Sequence, residues 1–415
     1  MAEAGIPWQV SRARQQSTSH SPRGADKEAE ARYREKTCVA SGILYRGEKI
    51  MSSRILDTLP RTMRAVVCYG PEDYRMEELP TPTAEPGEVV IKVDAAGICA
   101  SDVKCYTGAP LFWGDAHRVG YCQVPITAGH EFIGTVVALG EGAGAKYGLA
   151  LGDRAISEQI VPCWECRYCK RGQYHLCDPH DIYGFRTRTP GGFAEYMKFP
   201  TGSLNHKVPI ELKPEFAALI EPLACSMHAV QRGSIEFGDT VVVAGCGTLG
   251  LGMVAYARMK SPGTLIAVDV ADDRLARARQ LGATHTLNPR TQDVVAEIKA
   301  MTEGYGCDVY IEATGHPAAV EQGLLAIRKA GTFVEFSVMR ELVTVDWTII
   351  GDSKELNLMG SHLGPYCYPA VIQSLASGAV DGSVFITHEL PLEEYVKGIE
   401  LVHAGKDSLK VLLKP

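Results

Sequence analysis

Asp239-Thr240-Val241-Val242-Val243-Ala244-Gly245-Cys246-Gly247-Thr248-Leu249-Gly250 is the stretch on which the fold of this chain turns. The Val-rich run reads as a buried strand, and residues 251–260 continue as a helix. A Gly-x-Gly-x-x-Gly is weak evidence alone, but seated between strand and helix it reads as a dinucleotide-binding turn. Gly245 makes the tight turn, and Gly247 lets a pyrophosphate approach the backbone. Gly250 lets the helix pack closely on the sheet, with Thr248 and Leu249 completing the turn. Nineteen residues further on, the strand 265–268 ends in Asp269. A carboxylate there accepts hydrogen bonds from the adenosine ribose and repels a 2′-phosphate, which selects NAD over NADP. Arg274, close by in sequence, would soften that choice.

Downstream, the pattern alternates: helices at 272–281, 293–301 and 318–329, and strands at 285–287, 308–313 and 332–336. Such alternation predicts a doubly wound parallel sheet in an α/β chain. Residues 363–415, with a helix near 369–377 and a last strand at 409–413, fit a return to the first domain better than another unit of this sheet.

Upstream, residues 63–222 carry short strands divided by Gly and Pro, at 63–67, 88–95 and 132–139, and predict a β-rich, barrel-like domain. Two segments in it hold metal-binding chemistry. Gly97-Ile98-Cys99-Ala100-Ser101-Asp102 and Gly129-His130-Glu131 offer a thiolate, an imidazole and a carboxylate, a donor set suited to Zn²⁺ with one position left open. Residues 108–127 between them form a loop containing Phe112, Trp113, His117 and Tyr121. These aromatics either fold the loop against the barrel or face a substrate. Further on, Cys163, Cys166, Cys169 and Cys177 stand at C-x₂-C-x₂-C-x₇-C spacing. Four thiolates so placed make a closed tetrahedral zinc site of structural character, bracing a lobe expected to lack its own core. Gly172 allows the chain to double back there.

Composition bounds the function. The 415 residues exceed one comfortable core, so two domains are expected. A net charge of −7 argues against a nucleic-acid binder. No apolar run reaches the length of a membrane span. The chain holds thirteen cysteines with no apolar signal segment, which favours a reducing compartment and a cytoplasmic location. Residues 1–62 read as a disordered extension, with eleven Lys and Arg against seven Asp and Glu up to Arg61. Their acids spoil a mitochondrial presequence without removing that option, and Met51 or Met63 is an alternative start.

Taken in order, the GICxSD segment, the Gly-His-Glu, the lobe of four cysteines, Ile220-Glu221-Pro222-Leu223 and the glycine-rich turn with its Asp resemble the zinc-dependent medium-chain dehydrogenases, alcohol and polyol (sorbitol-type) branch. That resemblance covers residues 63–415. It implies a GroES-like catalytic domain over 63–222, a Rossmann domain over 223–362 and a C-terminal return over 363–415, with the active site in the cleft. It also implies two zinc ions per chain and NAD, a small polyol as substrate, and a homodimer or homotetramer.

Cys99 and His130 would bind the catalytic zinc, with Glu131 and Glu221 as its acidic candidates. Glu221, where classical alcohol dehydrogenases carry Cys, favours the polyol branch. Ser101 would take the first proton. Lys104 stands where relatives commonly have a His that relays it, and a solvated Lys is a poor shuttle at neutral pH. The route then runs through Lys104 or through Glu131 and water. Residues 109–115, 158–163 and 180–185 look most like erythritol/threitol dehydrogenases. Sorbitol, xylitol, an inositol derivative, 2,3-butanediol or threonine is the alternative substrate, and a non-catalytic NAD-binding member is the alternative class.

Overall fold

Two sheets organise the chain, one mixed and one parallel, and the computed structural model describes them over residues 54–55, 59–339 and 341–415. Up to residue 53 the expected extension, Met51 included, lies outside the described residues. Arg54–Ile55, within the segment expected to lack structure, pairs antiparallel with Leu139 and Ala138. Leu59 then packs against Val90 and Val137, an apolar contact that gives this end of the segment a place to dock.

In the mixed sheet, Val89–Ile98 is central. Glu131–Leu139 and the C-terminal strand Lys410–Lys414 both pair antiparallel with it. Ile386–Pro391 lies outermost, parallel to Lys410–Lys414. Nearly every residue of Val89–Ile98 is buried, because both faces of this curled sheet are covered.

In the second sheet the strands lie in the order His285–Leu287, Thr264–Val268, Thr240–Ala244, Cys307–Glu312, Ile327–Glu335, Asn357–Gly360, all parallel. Chain order reverses between Thr240–Ala244 and Cys307–Glu312, which opens a crevice beyond their carboxyl ends. Val241 and Val243 enter one core while Val242 and Ala244 enter another, so period-two alternation buries the strand on both faces.

Two local expectations change. The helix expected to 329 ends at Ala326, and Ile327–Glu335 runs extended, with Ile327 opposite Cys307. Ile327 is β-branched and fully buried, and Ala330 takes a positive φ of 55° that a helix would not accommodate. The boundary expected between 222 and 223 falls inside a continuous helix, Ile220–Arg232. Pro222 sits in the first turn of this helix, where its missing N–H costs nothing.

The glycine-rich turn shows why its glycines differ. A Cβ on Gly250 would lie 1.7 Å from the Gly245 carbonyl oxygen, whereas one on Gly247 would meet nothing within 4 Å. Gly250→Ala should therefore force the helix Thr248–Met259 off the strand and cost about 1–3 kcal/mol in denaturant unfolding. Gly247→Ala should unfold near the wild-type midpoint. Equal losses for the two variants would contradict this packing.

Candidate functional site

Antiparallel register brings the first donors together. Gly97 lies directly opposite Glu131, so Cys99, just past the end of Val89–Ile98, meets His130, just before the start of Glu131–Leu139. Gly97 has no alternative, since a Cβ there would sit 2.1 Å from Glu131 Oε2. Lys410 begins the next strand, where Val411 pairs with Ile98, and so reaches the same end of the sheet.

The ligand atoms of Cys99, His130 and Glu131 all lie within 4.8 Å of one another. One side chain orients two of them. Asp102 Oδ2 accepts the Cys99 backbone N–H at 2.8 Å, capping the helix Ala100–Tyr106. Its other oxygen, Oδ1, stands 3.2 Å from His130 Nδ1, close but off line for a linear hydrogen bond. Such a carboxylate fixes which imidazole nitrogen remains for a metal. Ser101 Oγ lies 3.2 Å from His130 Nε2. Burial alone would lower the His130 pKa, but the charge of Asp102 and then Cys99 outweigh it and hold the imidazole well above its ordinary value.

Glu131 is fully buried. Its Oε2 accepts from Lys410 Nζ, which also donates to the Ile98 carbonyl at 3.2 Å. Its Oε1 has no hydrogen-bond partner among the described residues. Glu221, on the first turn of Ile220–Arg232, is not part of the close trio; Gln159 Nε2 donates to its Oε1, and the Cys225 thiol lies 3.5 Å from the same atom. Burial, and next the charge of Glu131, push the Glu221 carboxyl up to about 7. Asp102 and Glu131 thus lie beside His130 and Lys410 respectively. A buried carboxylate oxygen with no partner among the described residues, beside a thiol and an imidazole, suits a divalent cation, and the S, N, O donor set suits zinc.

Cys163, Cys166, Cys169 and Cys177 also converge within 4.8 Å. Backbone N–H groups point at their sulfurs, from Cys163 to Cys177 at 3.2 Å and from Cys166 to Cys163 at 3.3 Å, the pattern that stabilises thiolates. The lobe does possess a small core, contrary to expectation: Tyr174, Ile182 and Phe185 pack with Ile160 and Phe112. The loop aromatics explain it. Phe112, Tyr121 and Phe185 stack at 5.2–5.6 Å, and Trp113 Nε1 donates to the Cys105 carbonyl at 2.7 Å. Most of them therefore brace the loop against the lobe. Phe185 alone reaches the trio, 5.2 Å from the His130 ring.

On the Rossmann side, Gly245 turns at φ 96° and Gly247 leaves open space at the amino end of the helix Thr248–Met259, a cradle for a pyrophosphate. Thr248 and Leu249 form its first turn. Asp269 Oδ2 accepts the Cys246 N–H at 2.7 Å and Oδ1 accepts the Ala271 N–H at 2.9 Å, so the carboxylate is held rigid beside the turn. Arg274 turns to the C-terminal segment, donating to the Gly405 carbonyl at 2.8 Å.

Lys104 Nζ donates to the Val338 carbonyl at 2.8 Å, joining the helix Ala100–Tyr106 to the segment that follows Ile327–Glu335. A cleft of about 610 Å³ runs along that junction, lined by Val103, Lys104, Leu111, Val338 and Leu342, among others. The trio of Cys99, His130 and Glu131 does not line it. Asp102, Gln159, Phe185 and Lys410 are site residues that the sequence reading missed. Only Asp102, three residues after Cys99, had a local signal, that of a capping carboxylate; the others arrive through strand pairing and loop packing.

Comparison with known proteins agrees with this architecture. Residues 85–210 match the alcohol dehydrogenase GroES-like domain, and residues 248–377 match the zinc-binding dehydrogenase family. The chain is 55% identical to an erythritol/L-threitol dehydrogenase of Mycolicibacterium smegmatis, over 86% of this chain and 99% of the relative. It is 34% identical to the sorbitol dehydrogenase of Bacillus subtilis over the same shares. An alcohol dehydrogenase from Escherichia coli solved with NADH superposes with a TM-score of 0.75 at 28% identity, covering 86% of this chain and 100% of that one. Among the described residues no helix is long and apolar enough to cross a membrane. With both domains matched in order and a polyol-acting relative covered from end to end, the chain belongs to the zinc-dependent medium-chain dehydrogenases, in their polyol branch.

Proposed function

We propose that this enzyme reversibly oxidises a secondary hydroxyl of a four-carbon polyol, of the erythritol and threitol type, to the ketose with NAD. The observation that carries the reaction is the trio of half-buried Cys99 and buried His130 and Glu131, whose donor atoms converge with one carboxylate oxygen unpartnered among the described residues. Tetritol specificity is supported by the 55% identical relative. Zinc, when bound, supplies a Lewis acid that acidifies the substrate hydroxyl, and NAD supplies the hydride acceptor. Cys99 and His130 hold that ion, and Glu131 is assigned as the third ligand ahead of Glu221, which Gln159 and Cys225 already engage.

Ser101 lies beside His130 Nε2 and takes the proton released from the hydroxyl. Lys104 is assigned to positioning instead of relay, since it is engaged with the Val338 carbonyl across the junction. Asp269 accepts the ribose hydroxyls, and Gly245, Gly247 and Gly250 admit the pyrophosphate. Cys163, Cys166, Cys169 and Cys177 hold the second, structural zinc. Thiol-rich sites of this kind need a reducing compartment, which supports a cytoplasmic location, and the family resemblance favours a homodimer or homotetramer.

The test is NAD reduction by zinc-replete protein across erythritol, both threitols, xylitol and sorbitol, with a chelator-treated control. Chelator-sensitive turnover greatest on a tetritol is expected. Turnover confined to longer polyols, butanediol or threonine would discard the tetritol assignment and keep the chemistry.

Two variants probe the residues. Cys99→Ser should lose one zinc per chain and roughly 100-fold or more in turnover while NAD binding persists; full activity would remove Cys99 from the mechanism. For Asp269→Ala, a charged hydrogen bond is worth roughly 1.5–3 kcal/mol. The NAD-over-NADP ratio of kcat/KM should then drop by about 10- to 100-fold, and an unchanged ratio would mean that another group selects the cofactor.

A further inference from the structure

Three cysteines outside both zinc sites converge from separate segments. Cys68 comes from the strand Thr62–Gly70, Cys105 from the helix Ala100–Tyr106, and Cys122 from the loop beyond Trp113. Their sulfurs all lie within 4.8 Å of one another, with Cys105 and Cys122 at 3.9 Å. None is in a disulfide. Cys68 and Cys105 are buried, while Cys122 is partly exposed and gives the group one open side. We propose that Cys68, Cys105 and Cys122 form a third metal site, selective for a soft d¹⁰ ion and in particular Cu(I).

Sulfur donors select soft ions, and a trio with no fourth Cys, His, Asp or Glu in the cluster among the described residues favours an ion content with three ligands. At a metal–sulfur distance of about 2.3 Å, a planar three-sulfur site spaces its sulfurs about 4.0 Å apart. The Cys105–Cys122 separation of 3.9 Å already matches that value, and the Cys68 sulfur lies within 4.8 Å of both. The alternative is that three small apolar side chains simply pack together. It accounts for burial, but not for three thiols converging from segments far apart in sequence with one side open.

Binding involves no change in oxidation state. Cu(I) enters as such and all three thiols release their protons to solvent, leaving two net negative charges. Arg186, which donates to the Tyr121 carbonyl at 2.7 Å and pairs with Asp181 at 3.8 Å, stands near enough to act on Cys122 and offsets part of that charge. A bound ion would staple the helix that carries Ser101 and Asp102 to the loop that carries Phe112 and Trp113.

To test this, the reduced, zinc-replete enzyme is titrated anaerobically with Cu(I) delivered from bicinchoninate, desalted, and assayed for copper and zinc. One copper per chain should be retained with both zinc ions still present, and X-ray absorption should show a first shell of three sulfurs. Cys122→Ser, at the partly exposed position where folding is least at risk, should weaken copper retention by an order of magnitude or more and leave zinc content unchanged. Copper should also protect Cys122 from alkylation in the wild-type protein, a readout that needs no variant. Equal copper retention by Cys122→Ser, release of zinc as copper binds, or a Cys105–Cys122 disulfide in the freshly isolated protein would each overturn the proposal.

Discussion

The pairing of Gly97 with Glu131 across two antiparallel strands is the constraint on which the site depends. A sheet offers positions at a fixed spacing, so one matched pair sets the location of every residue just beyond it. Cys99 and His130 fall at the same strand ends because of that pair, and Lys410 joins them because Val411 pairs with Ile98. A slip of one residue would send the Glu131 carboxylate to the other face and dissolve the trio. Gly97 guards against this, since only a residue without Cβ leaves room for that carboxylate.

Around this frame, polar groups are arranged so that burial does not leave charges stranded. Lys410 holds one oxygen of Glu131 and the other has no partner among the described residues, while Asp102 serves the Cys99 backbone and stands beside the His130 ring. Removing one partner of a buried ion pair typically costs about 3–5 kcal/mol. The carboxylate oxygen of Glu131 left without a partner among the described residues is the place where a cation would complete that arrangement. The lobe of four cysteines follows a related logic. Its sulfurs collect backbone N–H groups, and its small core reaches Phe185, which lies against His130. The two metal-binding regions are therefore joined by packing.

The parallel sheet meets this frame through backbone as much as through side chains. Its crevice opens where chain order reverses, and the glycine-rich turn, Asp269 and the Lys104–Val338 hydrogen bond all gather near strand carboxyl ends or the segments that leave them. Lys104 shows how a residue that looks like a departure from a relay becomes intelligible once its partner on the other domain is known.

What the sequence by itself determined was whatever follows from short-range periodicity and spacing. The Val-rich strand before Gly245, the spacing of the four lobe cysteines, the order of helices and strands after 240 and the donor types at Cys99, His130 and Glu131 are all local patterns, and local patterns survive without three-dimensional context. Tertiary structure decided what depends on contact between distant segments. Strand register brought Glu131 next to Cys99 and His130, a continuous helix runs through residues 220–232, and backbone carbonyls of the C-terminal segment claimed Arg274. Gln159, Phe185, Lys410 and the Cys68–Cys105–Cys122 cluster carry no short-range signal at all, because their meaning lies in partners tens to hundreds of residues away that only folding brings within reach.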